Sequence, residues 1–322
     1  MVALWIMLRN VIVFVALAIP GYLLVKCKML TQQQSGVLSK LLMYVGMPFL
    51  ILTSTINNLT LNSDLLISIG IIAGVGVLYT FAMLFAAKPL TAMEKEEKTR
   101  GMMRFSTAFS NNGFLGIPLA MAVFGAGSKV VMFVIILNII TNILMYTLGI
   151  YLISGDKNSI RWKKVLLNPV LIAFVVGIVF NLLNVKDFVP EVSTFSTHFS
   201  NIVTPISMTI LGMKMGGGNF LMLFKSWKTY YVAAVKLILF PVVIVALLLV
   251  VRATFASDWI VSDMVLGCFI AFAMPTAGLA STFSDQFNGD SESAVAFTLG
   301  TTMLSIVTIP LLYWVCVYCC SI

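Results

Sequence analysis

The sequence predicts an all-α polytopic membrane protein: ten transmembrane helices in two inverted five-helix repeats, with helices four and nine broken where they cross. Three observations carry this reading. The 322 residues are 60% hydrophobic and 10% charged, with a mean hydropathy of +1.04, whereas a soluble domain carries about 25% charged residues. Lys and Arg gather in alternate loops, the asymmetry that sets orientation in a membrane. The two halves also interrupt their apolar runs with Gly and Pro at corresponding places, as the inverted halves of secondary transporters do.

A span takes about 20 mostly apolar residues, and ten stretches qualify. The first, 3–25, follows the pattern of a signal peptide after Arg9, but "IPGYLLVKCK" offers no small-residue cleavage site, so the span is retained. The second, 36–57, carries Pro48 in "VGMPFLIL", and the third, 65–87, is uncharged. The fourth, 103–125, is interrupted by "SNNGFLGIP" (Ser110–Pro118), and the fifth, 130–153, is uncharged. The sixth, 167–185, follows a short basic loop. The seventh, 193–213, carries Pro205 in "IVTPISMTI", and the eighth, 229–251, contains Lys236. The ninth, 261–284, is interrupted by "AFAMPTAGLAS", and the tenth, 293–318, is uncharged. Pro20, Pro169, Pro241 and Pro310 read as kinks or packing devices, which are common in membrane helices.

Loops 1–2, 3–4, 5–6 and 7–8 hold most of the basic residues: Lys26, Lys28, Lys88, Lys95, Lys98, Arg100, Arg104, Lys157, Arg161, Lys163, Lys164, Lys214, Lys225 and Lys228. The opposite loops hold Arg9, Lys129, Lys186 and Arg252. The first set is expected to be cytoplasmic, which leaves both termini outside. The basic loop 155–166 divides the chain into a first five-helix repeat, 1–154, and a second, 167–322. Five spans per half turn the second repeat upside down. The net charge of +8 is spread over short loops, so it reports topology and not nucleic-acid binding. The compact loops suggest a bacterial inner membrane, and "NLT" at Asn58–Thr60 is a glycosylation pattern on the expected outer side.

A broken helix exposes backbone N–H and C=O groups, which survive in a membrane only where protein or a water-filled cavity covers them. Two such breaks at matched positions would cross near the midplane, where half-helix N-termini offer free N–H groups to an anion. Asn111 and Asn112 add side-chain amides, and Thr276 adds a hydroxyl. Gly113 and Gly278 let ligand and backbone come close. With Pro118, Pro275 and Ala277, these are the candidate substrate-binding residues.

Ionisable residues inside spans suggest function. Lys236 either balances an anionic substrate or snorkels to the interface, and snorkelling is favoured because it lies about seven residues into its span. Lys40 is expected to snorkel, and His198 and Asp263 to lie at interfaces. Asp285, Gln286 and Asn288 are oxygen donors in a loop read as solvated. Cys316, Cys319 and Cys320 read as apolar filler, since no His or acid lies near them to complete a metal site.

At "GYLLVKCKMLT" (Gly21–Thr31), "SKLLMYVGMPFL" (Ser39–Leu50), "NNGFLGIPLAMAVFG" (Asn111–Gly125), "LLNPVLIAFVVGIVFNLL" (Leu166–Leu183) and "MPTAGLASTFSDQFNGD" (Met274–Asp290), the chain resembles the auxin efflux carrier family, which includes bacterial malate permease-type transporters. The resemblance covers nearly the whole chain, without the long central loop of many plant members. It implies a fold of the bile-acid-symporter and sodium/proton-antiporter kind. Spans one, two, six and seven would form a scaffold, and spans four and nine would cross at the site. Transport would follow an elevator-like motion. The family's crossover prolines fall on Pro118 and Pro275 and its site asparagine on Asn112, and a homodimer is implied.

The function expected is therefore secondary or potential-driven transport of a small organic anion such as malate, with an auxin-like weak-acid efflux carrier or a membrane protein of non-transport class as the alternatives. No cofactor is expected beyond a coupling ion, sodium or a proton. An enzyme is disfavoured: there is one His, the acids sit in loops, and HExxH is absent; ATP-driven transport is disfavoured because GxxxxGK[ST] is absent.

Overall fold

The computed structural model describes residues 9, 12–13, 16–58, 63–125, 127–160, 167–217, 226–254 and 262–320. Lys163, Lys164, Lys225, Arg161 and Thr60 lie outside them. The described residues are helical apart from turns, connections and one isolated β-bridge.

In chain order the helices are α1 (Ile19–Lys26), α2 (Ser35–Leu41), α3 (Met47–Asn58), α4 (Ser63–Leu90), α5 (Glu97–Ala108), α6 (Ile117–Phe124), α7 (Lys129–Leu144) and α8 (Ile150–Ser154). Apart from the single turn Val185–Phe188, the second half holds α9 (Pro169–Leu182), α10 (Pro190–Ser200), α11 (Val203–Gly217), α12 (Trp227–Ala234), α13 (Phe240–Thr254), α14 (Ser262–Ala273), α15 (Ala280–Gln286) and α16 (Ser291–Cys320). Short polar residues start several of them. Ser128 accepts from Val131 N–H at 3.3 Å, Asn168 from Val170 N–H at 2.9 Å, and Asp290 from Ser293 N–H at 3.0 Å, each capping an otherwise orphaned donor.

Four π turns occur: Leu42–Gly46, Met145–Gly149 and Val235–Leu239 join helices end to end, and Asn112–Gly116 leads into α6 after a break. Three of them end two residues before a proline: Pro48, Pro118 and Pro241. Proline cannot donate to the carbonyl four residues back, and its ring clashes with it. Widening the preceding turn absorbs both problems while the helix continues.

Packing divides the described helices into two bundles. In one, α1 lies along α11 and α3 lies against α9 and α10. In the other, α7 packs on α4, α6 and α14, while α16 packs on α5, α12 and α15. The bundles meet where α11 touches the π turn Asn112–Gly116 and where α3 touches α7. Glycine sets the first bundle's tightest contact. A Cβ at Gly212 would lie 1.8 Å from the Ala18 carbonyl oxygen, and one at Gly21 would lie 2.1 Å from that of Thr209. Small residues allow this backbone approach in membranes, where packing and not the hydrophobic effect holds helices together.

Two expected boundaries move. The fourth helix starts at Glu97, so Arg100 and Arg104 are helical and not in a loop. There they bond to the Glu94 carbonyl (3.3 Å) and the Thr91 hydroxyl (3.0 Å). Lys214, expected in loop 7–8, lies in the last turn of α11.

Candidate functional site

The fourth helix stops at Ala108 because Phe109 turns extended (φ −102°, ψ 123°). The ninth stops at Ala273, just before Pro275. The two interruptions meet. Ser110 and Thr276 form an antiparallel bridge. Asn111 N–H donates to the Pro275 carbonyl at 2.8 Å, and Ala277 N–H donates to the Phe109 carbonyl at 3.0 Å. Each break thus satisfies backbone groups of the other, which removes much of the cost of leaving helical geometry inside hydrocarbon.

A small cavity of about 50 Å³ lies on one side of this bridge. Of the sequence-predicted residues, Asn111, Asn112, Gly113, Ala277 and Gly278 line it. Three do not. Pro118 is buried in α6, where it shapes the turn before it. Pro275 is buried in the bridge and contributes its carbonyl. Thr276 is fully buried; its hydroxyl donates to the Ser106 carbonyl at 3.0 Å, and its N–H donates to the Thr301 hydroxyl at 3.1 Å. Thr276 therefore pins the break to α5 and α16 and offers no hydroxyl to a ligand.

Other polar walls went unread in the sequence. Asn138, Thr141 and Asn142 line the cavity from α7, and Asn168 lines it from the start of α9. The first three stand at i, i+3 and i+4, one face of a helix. "LNIITNIL" carried that signal, but a span without charge reads as plain lipid-facing helix. Asn112 donates to the Thr141 hydroxyl at 3.1 Å, and Asn142 donates to the Asn138 side-chain oxygen at 3.1 Å. Asn112 Oδ1 and Asn138 Nδ2 remain buried with no hydrogen-bond partner. An unmet buried polar group costs about 1–3 kcal/mol, and both atoms belong to residues that line the cavity. No ionisable side chain is among the lining residues.

Two lysines stand immediately behind the wall. Lys236 is fully buried and donates from Nζ to Ser110 Oγ at 2.5 Å. It does not snorkel: the π turn Val235–Leu239 that carries it packs against α5, α14 and α16, in the protein interior. Lys214 Nζ donates to the Gly278 carbonyl at 3.3 Å. Lys40 and His198 are exposed and Asp263 lies in the first turn of α14.

Loops 3–4 and 9–10 and the start of α12 meet at one end of the molecule. Lys98 Nζ donates to the Asn288 side chain at 3.1 Å, Thr99 to the Asp290 carboxylate at 2.6 Å, and Lys228 pairs with Glu94. The Lys228 hydrogen bond, with the Glu96 N–H, holds the Glu94 carboxyl below its usual range. Burial pushes Asp290 up, but bonds from Ser293 and Thr99 outweigh it and leave that carboxyl lowered too. Asp285 and Gln286 are exposed, and Asp285 accepts from Ser291 Oγ at 2.5 Å. No group of metal-ligating side chains occurs among the described residues.

The chain matches the family model described as membrane transport protein over residues 6–313. It is 27% identical over 310 residues to an uncharacterized transporter of Methanothermobacter thermautotrophicus, covering 94% of this chain and 96% of that protein.

Proposed function

Because the chain belongs to the membrane transport protein family, the family of the auxin efflux carriers, we propose that it carries a small organic anion through the cavity beside the Ser110–Thr276 bridge. The observation that carries this reading is the cavity's chemistry. Side-chain amides line it, the helical segment Asn112–Phe124 begins at it, Lys236 and Lys214 stand behind it, and no acid lines it. A carboxylate would accept from the Asn138 amide and from the free N–H groups of that helix start, whose dipole favours negative charge. A hydroxyl on the substrate would meet the Asn112 oxygen, which favours a hydroxy acid such as malate over an auxin-like weak acid.

The transport cycle proposed is elevator-like. The bundle of α4–α8 with α12–α16 carries both breaks, while that of α1–α3 with α9–α11 serves as scaffold. The division of packing supports this split. So does an exchange of partners: the first span packs on the seventh, and the second on the sixth, as two inverted repeats, 1–154 and 167–322, would arrange them. The cavity wall includes Met43 and Asn168, next to loops 1–2 and 5–6. It would therefore open to the basic, cytoplasmic side of a cell membrane. The homodimer would form through the scaffold.

The test is uptake of labelled malate, succinate, lactate and indole acetate into proteoliposomes preloaded with unlabelled compound, with and without sodium and pH gradients. Saturable counterflow of at least one carboxylate supports the reading, and the gradients identify the coupling ion. Non-saturating flux without counterflow would point to a channel.

A further inference from the structure

We infer that Lys236 is a built-in counter-ion that makes this carrier an anion exchanger, with empty return of the binding site disfavoured. The inference rests on the two-bundle reading of transport above.

Its basis is the placement of charge. Lys236 is fully buried, and its ammonium reaches Ser110 Oγ on the bridge that walls the cavity. No carboxylate of a described residue pairs with it; the ion pair among those residues is Lys228–Glu94, at the loop end. A hydroxyl is a dipole and neutralises nothing, so a cation in this position is uncompensated. Isolated charges in hydrocarbon are strongly disfavoured unless paired.

The two lysines also belong to different bundles. Lys214 is on α11, in the proposed scaffold, while Lys236 is on the turn between α12 and α13, which packs on α5, α14 and α16. When the bundle that bears the breaks moves, Lys236 moves with the site and Lys214 stays behind. A loaded site then crosses with an anion beside the ammonium, and for a monocarboxylate the two charges cancel. An empty site would have to carry the bare cation across or first release its proton. The loaded path is the easier one in both directions, which is the definition of an exchanger. Lys236 thereby fills the place that a co-transported cation has in other secondary carriers.

The experiment compares two fluxes in proteoliposomes of the full chain, using labelled lactate and labelled malate as probes. One is exchange into vesicles preloaded with the same compound. The other is net uptake into empty vesicles, with the membrane potential clamped at zero. In the wild type, lactate exchange should exceed lactate net uptake by about tenfold or more, the effect of a small fixed charge penalty on the empty step; malate, whose second carboxylate leaves the loaded site charged as well, should show a smaller ratio. Lys236→Gln should bring the lactate ratio close to one, and Lys236→Arg, which keeps the charge, should preserve it. Wild-type net uptake as fast as exchange would overturn the inference and leave the carrier reading standing, even if Lys236→Gln fails to fold. A ratio unchanged in a monodisperse Lys236→Gln protein would also overturn it, since a lysine that only steadies the helix ends predicts that result. No flux of either probe in either mode would overturn the transport of these carboxylates, and the inference with it.

Discussion

Asn112 and Thr276 stand on the two interrupted helices, and their side chains have opposite tasks. Asn112 is buried at the cavity with an unpartnered oxygen, whereas the Thr276 hydroxyl is consumed by Ser106. Thr276→Val should therefore lower stability by about 1–3 kcal/mol, the cost of orphaning the Ser106 carbonyl. Thermal melts in detergent would read this, and the folded protein should keep its substrate affinity. Asn138→Leu should do the reverse: stability is kept or raised, while exchange falls about tenfold as one hydrogen bond to a charged ligand is lost. The sequence marked Asn112 because helix breakers surround it, but Asn138 sits in an unbroken apolar helix. At the loop end, Glu94 and Asp290 are depressed carboxyls. Such groups contribute stability that is present above their unfolded values, about 4, and is lost as pH falls through the lower folded values. The melting difference between wild type and Glu94→Gln should therefore be constant from pH 5 to 8 and shrink below pH 4.

At the scale of the helix, prolines were legible and their consequences were not. Pro48, Pro118 and Pro241 mark places where the ladder must change. That it changes by a π turn depends on neighbours that cover the displaced carbonyls, which no local pattern records. Lys236 was misread for the same reason. Seven residues from a helix start is within reach of the interface, and only packing places its turn at the bridge. Pro241→Ala restores the missing N–H and should let the turn relax to α-helix, which would rotate Lys236 off Ser110 and change the ratio of exchange to net uptake. Glycine gives a sharper contrast. Gly212→Ala drives a Cβ into the Ala18 carbonyl and Gly36→Ala meets nothing within 4 Å. The first should cost the protein its monodisperse elution in detergent, and the second should be silent.

For the whole molecule, hydropathy sufficed to read a multi-pass membrane protein, and the matched motifs sufficed to place it in its transporter family. The division into two bundles depends on which faces meet, through backbone contacts at Gly21 and Gly212 and a two-residue bridge between distant breaks. Those are tertiary facts. The central claim is that the cavity beside this bridge is where the substrate sits. The most direct test is malate counterflow in proteoliposomes with three monodisperse proteins: wild type, Asn112→Ala and Thr276→Val. The account predicts saturable counterflow in the wild type, its loss by tenfold or more in Asn112→Ala, and near wild-type transport per folded Thr276→Val protein. Counterflow in Asn112→Ala equal to wild type would contradict it, and the interrupted helices would then be a structural joint and not a binding site.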